Sequence, residues 1–180
     1  MRTLALVIGI VWAVFWIYWL AVAFTAKESV RRRRPFPLGG LTVVAIIVLI
    51  RVLGRGSVAV HSPVLGAVGA VLFVCGLALA IWARVYLGSN WGMPMTQRAE
   101  PELVTSGPYR FVRHPIYTGL LLAMLGTALA TSLVGLAIVV LLGAFFYFSA
   151  SVEERNLIVT FPTAYPEYRR GTKMLIPFVL

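Results

Sequence analysis

Long uncharged apolar stretches alternate with short basic segments along this chain. Leu4 to Thr25 is a run of 22 residues without a charge, rich in Trp and Tyr. Leu38 to Leu53 is shorter, and Arg51 stands near its end, where a long side chain can snorkel to the interface. Pro63 to Leu87 carries Arg84 near its end and the small residues Gly66, Gly69, Ala70, Gly76 and Ala80, suited to close helix contacts. From Pro115 to Val152 there are 38 residues with no Asp, Glu, Lys, Arg or His. Crossing a hydrocarbon layer of about 30 Å takes about 20 helical residues. A single helix over 115–152 would be about 57 Å long at about 1.5 Å per residue. The run therefore predicts two crossings, with the turn marked by Ala130-Thr131-Ser132 and Gly135. The pattern predicts an all-α, polytopic membrane protein with about five transmembrane helices.

Beyond Val152 the pattern changes. Leu157, Phe161, Tyr165 and Tyr168 fall at i, i+4, i+8 and i+11, one face of a helix. Pro162 interrupts that face, which predicts two short helices or a kink, and Gly171 is placed to end the second. This amphipathic segment is expected to lie along the cytoplasmic surface and fold back on the bundle. One structural domain is expected, with helices one to three in residues 1–87 and a catalytic core in 88–180.

Composition sharpens this picture. The chain has 180 residues, 60% of them hydrophobic and only 12% charged, against about 25% charged in soluble domains. The net charge of +10 is not the footprint of a nucleic-acid binder, because the basic residues flank the apolar spans as topology determinants do. Lys27 and Arg31 to Arg34 follow the first span. Arg98, Arg110 and Arg113 follow the third, and Arg155, Arg169, Arg170 and Lys173 follow the fifth. Five spans put these twelve charges on one side, with Arg2 and Arg55 on the other. The basic side is expected to be cytoplasmic, with the N-terminus outside. Arg31 to Arg34 serve as a stop-transfer signal or, alternatively, as a lipid-headgroup or partner site. Cys75 is the only cysteine, which excludes disulfides within the chain and cysteine metal sites. His61 and His114 are expected on opposite sides of the membrane, so no metal site is expected. The first apolar run is too long for a signal peptide, and a prokaryotic inner membrane is the expected location.

Two polar clusters bound the hairpin 115–152. Arg113-His114 opens it and Glu153-Glu154 closes it, so the antiparallel arrangement predicts that they meet at one membrane depth. One reading is an interfacial salt bridge with His114 capping a helix. The other is a ligand site. Tyr109 and Tyr117 bracket the Arg-His-Pro, Gly107-Pro108 makes a turn before it, and Gly119 permits close approach. Pro115 suits a first helical turn, whose N–H groups can face an anion. A zwitterionic ligand matches this set: its carboxylate would meet Arg113 or the helix start, and its ammonium or hydroxyls Glu153 or Glu154.

The stretches "LVTSGPYRFVRHPIYTG" and "EERNLIVTFPTAYPEYRRGTKMLIPFV" resemble the isoprenylcysteine carboxyl methyltransferase family and the similar phospholipid methyltransferases. "LGSNW" at 87–91 is similar too. The resemblance covers residues 103–119 and 153–178 and implies S-adenosyl-L-methionine bound at the cytoplasmic face. It implies that Leu103, Val104, Tyr109, His114, Pro115, Ile116, Tyr117 and Glu153 line the cofactor, together with Pro101. Three positions depart from the family. Pro101 replaces a His, Ser149 replaces an Arg associated with the substrate carboxylate, and Pro162 replaces a Gly. The second departure points away from prenylcysteine itself, toward another membrane-soluble acceptor.

The expected activity is methyl transfer to a lipophilic acceptor from the bilayer, either a carboxylate such as a prenylcysteine-like compound or a lipid amine. Arg113 and Glu154 are the candidate catalytic residues: Arg113 to orient an anionic acceptor, Glu154 or Glu153 to take a proton from an amine or hydroxyl. Two alternatives stand beside it. Membrane sterol or steroid reductases share a similar helical core but use NADPH, for which Arg169, Arg170 and Lys173 could bind a 2′-phosphate. A non-enzymatic scaffold or transport protein accounts for the spans but not for the polar clusters.

Overall fold

The structure is a computed structural model that describes residues 2–23, 29–31, 59–88, 97–98 and 102–177. Helices dominate it. Helix α1 covers Arg2–Ala23, α2 Pro63–Leu87, α3 Pro115–Thr131, α4 Val134–Thr160 and α5 Ala164–Gly171. A 3-10 turn, Gly107–Arg110, precedes α3. Two short strands, β1 (Ser29–Arg31) and β2 (Gln97–Arg98), pair antiparallel and join the segments that follow α1 and α2.

Among the described residues α1, α2 and α4 are long and apolar enough to cross a membrane. Helix α3 is apolar but has 17 residues, about the lower limit for a crossing. The predicted second span, Leu38–Leu53, lies outside the described residues.

Helix α2 has the bounds that its sequence signals predict. Ser62 caps it by accepting from the Leu65 N–H at 3.4 Å, Pro63 occupies the first turn, and Gly88 ends it at φ +54. Helices α2 and α3 then meet backbone to backbone. A Cβ on Gly76 would stand 2.6 Å from the Gly119 carbonyl, and one on Gly69 would stand 2.6 Å from that of Gly126. In lipid, where apolar surface gains nothing by leaving solvent, such close packing is the principal attraction between helices. Helix α1 lies across this pair. Ile8, Phe15 and Trp19 join Phe73, Leu77, Ala80, Leu120, Ala123 and Ala130 in one core. Trp12 Nε1 donates to Thr127 Oγ1 at 3.1 Å.

The hairpin turn falls at Ser132-Leu133, where the pattern places it. Helix α4 departs from expectation at its other end. It runs on as one rod through Thr160, so Glu153 and Glu154 sit within it rather than in a separate short helix. Nothing before Pro162 breaks the ladder, and 27 residues make about 40 Å, so its last turns outrun the hydrocarbon. The break comes at Phe161, whose φ −126 and ψ 71 leave the helical region that a following proline disfavours. Helix α5 follows and ends at Gly171. The buried residues of α4 are Ser149, Ala150, Val152 and Glu154. The helix is thus anchored at one end, where the polar cluster lies.

Candidate functional site

The chain after α5 closes back on the start of α3. Val112 pairs with Lys173 as an isolated parallel bridge. The Arg113 N–H donates to the Lys173 carbonyl at 2.8 Å and the His114 N–H to that of Met174 at 3.1 Å. Thr118 Oγ1 donates to the Leu175 carbonyl at 2.6 Å. These bonds hold the start of α3 and the C-terminal segment together.

Arg113-His114 and Glu153-Glu154 meet there, as the hairpin predicts. Arg113 Nε donates to Glu154 Oε1 at 2.7 Å, and both side chains are nearly inaccessible, 7% and 4% exposed. Arg113 Nη1 also donates to the Thr172 carbonyl. Its guanidinium is therefore occupied in tying three segments together. Arg169 Nε approaches the other oxygen, Glu154 Oε2, at 3.4 Å.

Glu153 points a different way. Tyr117 donates its hydroxyl to Glu153 Oε1 at 2.6 Å. His114 Nδ1 lies 3.5 Å from Glu153 Oε2, and its Nε2 lies 3.5 Å from Glu154 Oε1 without the alignment of a hydrogen bond. The imidazole stands between two carboxylates. Burial pushes its pKa down, but the two acids outweigh burial and the net shift is upward. The rings of His114 and Tyr117 are parallel within 8° at 5.6 Å, and Tyr117 stacks on Phe146 at 4.7 Å. Glu153 keeps 24% of its side chain exposed, so this aromatic wall carries an accessible carboxylate at its edge.

Tyr109 is buried beside this wall. Its hydroxyl donates to the Ala83 carbonyl at 3.3 Å, and its own carbonyl accepts from Tyr168 at 2.6 Å. Gly107 makes the preceding turn at φ +59, and a Cβ there would collide with the Tyr86 ring. Pro115 is fully buried, and Ile116 packs against both apolar clusters of the bundle. Leu103 and Val104 are half-buried in the irregular approach to Gly107. Pro101 lies outside the described residues.

Two contributors, Phe146 and Arg84, escape a reading of the sequence. Phe146 sits in a uniformly apolar run, where nothing marks it as the floor of the stack. Tyr165, on the helical face predicted to fold back on the bundle, is almost wholly inaccessible, and its hydroxyl meets no hydrogen-bonding partner among the described residues. Arg84 is buried and clamps two helix ends, donating to the Gly88 carbonyl at 2.6 Å and the Val22 carbonyl at 2.8 Å.

The phospholipid methyltransferase family profile matches residues 64–164. The chain is 35% identical over 122 residues to the cobalt-zinc-cadmium resistance protein CzcN of Cupriavidus metallidurans, covering 64% of this chain and 50% of that protein. It is 32% identical over 101 residues to phosphatidylethanolamine N-methyltransferase B of Dictyostelium discoideum, covering 52% and 48%. The chain thus spans about half the length of these curated relatives. Its fold matches that of the eukaryotic intramembrane Ras methyltransferase ICMT with a TM-score of 0.66 at 23% identity, over 93% of this chain and 63% of that one. A match that takes in α2, the Arg113-His114 turn, the apolar hairpin and the Glu pair covers more than half of this integral membrane protein, and the chain belongs to the phospholipid methyltransferase family.

Proposed function

We propose that this protein transfers a methyl group from S-adenosyl-L-methionine to a lipophilic acceptor that reaches it from the bilayer. The observation that carries this reading is the accessible Glu153 carboxylate, held by Tyr117 and faced by His114 at the edge of a stacked aromatic wall.

The residues present suit that cofactor. Glu153 offers a carboxylate to an ammonium or to ribose hydroxyls, and the Tyr117 and Phe146 rings offer π-faces to a cationic centre. His114, set between Glu153 and Glu154, backs the Glu153 carboxylate from the protein side. Leu103, Val104, Tyr109, Pro115 and Ile116 would supply the apolar sides. When bound, the cofactor supplies a methyl group activated on a sulfonium, with a neutral thioether as leaving group.

The protein's part in such a displacement is alignment and the exclusion of water. Tyr117 fixes the Glu153 carboxylate, and the C-terminal segment covers the start of α3. Arg113 and Glu154 act as positioning residues in this reading, because each is engaged by the other. A cytoplasmic location for the site agrees with a cytosolic cofactor and with the basic charge of the flanking loops.

Calorimetric titration of the detergent-purified protein with S-adenosylhomocysteine tests the reading, with NADPH as the parallel ligand. Wild type is expected to bind the first and not the second. Glu153→Gln is expected to weaken binding by at least about tenfold, the order of one lost charge-assisted bond, in a protein of unchanged helicity. Undiminished affinity in that variant overturns the assignment.

A further inference from the structure

Helix α4 has a second functional face. Glu153 meets Tyr117 of α3, while Tyr147, Ser151, Glu154, Arg155 and Ile158 follow one another along the adjoining stripe of α4, with Glu154 reaching the start of α3. With Arg169 and Met174 they line a cleft of about 230 Å³. Tyr147, 48% exposed, stands at its bilayer end. Arg155 and Arg169, both exposed, stand at its aqueous end.

The charges of the cleft do not balance. Its lining holds two guanidinium groups, Arg155 and Arg169, against the one carboxylate of Glu154, which Arg113 already pairs from outside the cleft. Arg113 already holds Glu154 Oε1 at 2.7 Å, whereas Arg169 reaches Oε2 only at 3.4 Å and is 52% exposed. Arg155 and Arg169 are thus positive groups at a boundary of low dielectric, where an anion gains and an ammonium loses. The position that would carry the family's substrate arginine is Ser149, whose hydroxyl is turned back to the Phe145 carbonyl at 2.9 Å. It is fully buried and presents no charge to any ligand.

We infer that this cleft is the acceptor site, that it selects an amphiphile carrying a carboxylate or phosphate, and that Arg155 and Arg169 read the anion in place of an arginine at 149. This inference rests on the methyltransferase reading. The cleft is smaller than the roughly 300–1,000 Å³ that encloses a whole drug-sized ligand. It therefore takes the headgroup and first methylenes, and leaves the tail along Tyr147 in the lipid.

The test places a reporter at the bilayer end. Tyr147→Trp is titrated, with S-adenosylhomocysteine present, against dibromostearate, dibromostearyl phosphate, dibromostearylamine and dibromostearyl alcohol in mixed micelles. Saturable quenching is expected from the two anions at concentrations about tenfold below the amine and alcohol. Adding Arg155→Gln is expected to remove that preference while affinity for S-adenosylhomocysteine stays within about twofold. Equal quenching by all four, a preference unchanged in Arg155→Gln, or displacement by millimolar inorganic phosphate, which marks a site for free anions, overturns the inference. Wild type that binds S-adenosylhomocysteine but shows no preference loses only this inference. Wild type that fails to bind it loses the methyltransferase reading, and the acceptor assignment with it.

Discussion

His114 shows how much a single side chain does at this junction. It precedes the first residue of α3, outside the spanning helices, with one nitrogen toward Glu153 and the other toward Glu154. A neutral imidazole leaves two acids close together with one fewer donor between them, so the protonated ring is the form that the fold favours. The folded pKa is raised above the unfolded value, so the resulting stability is complete below about pH 6.5. It is lost as pH rises through the folded value. Thermal unfolding of the detergent-solubilised protein between pH 5.5 and 9 is expected to show a midpoint that falls as pH increases through that window. His114→Gln should flatten this dependence and lower the midpoint chiefly on the acid side. A wild-type midpoint that climbs through the same interval would mean that the ring is held neutral.

At the scale of elements, the fold was most legible where hydrophobic length and end signals agree. Pro63–Leu87 and the 132–133 turn could be read directly, because Ser62, Pro63, Gly88 and the limit of bilayer thickness leave few alternatives. The meeting of Arg113-His114 with Glu153-Glu154 followed from the hairpin alone. Hidden from the sequence were features fixed by tertiary contact: the continuation of α4 to Thr160, the place on α3 where the expected fold-back of the C-terminal segment lands, and the burial of Arg84. Apolar periodicity is also silent inside a bilayer, where every face of a helix is greasy, so Phe146 could not be singled out as the partner of Tyr117. The glycine contacts lie between, since small residues on α2 announce a close neighbour without naming it. Gly76→Val drives side-chain atoms into the Gly119 backbone and is expected to destabilise the bundle by about 1–3 kcal/mol. Gly9→Ala on α1, where a Cβ meets nothing within 4 Å, should be neutral or stabilising by up to about 1 kcal/mol. Denaturation in mixed micelles followed by circular dichroism checks both, and equal midpoints for the two variants would remove the glycine interface as a determinant of stability.

At the scale of the whole molecule, contacts between segments constrain the path through the membrane. The pairing of Ser29–Arg31 with Gln97–Arg98 puts the segments after α1 and α2 on one face, and the Arg84 bond to the Val22 carbonyl ties the same two helix ends. On the opposite face, Ala59 pairs with Ser132, and the Val60 N–H donates to the Thr131 carbonyl at 3.0 Å. Arg31 and Ala59 therefore stand on opposite sides of the bundle, and the predicted span Leu38–Leu53 falls within the interval that joins them. The basic residues around α5 predict that the face carrying them is cytoplasmic. In a Cys75→Ala background, His61→Cys is expected to react with a membrane-impermeant maleimide added to intact cells. Lys173→Cys should react only after permeabilisation, and a tag before Met1 should be reached from the same side as residue 61. Labelling of residue 173 in intact cells would invert the topology and place Glu153 away from the cytosol, where the proposed cofactor is supplied, so this one experiment bears on orientation and chemistry together. Labelling of residues 61 and 173 from the same side would instead mean that the Ala59–Ser132 end and the Val112–Lys173 end of the bundle do not face opposite sides of the membrane.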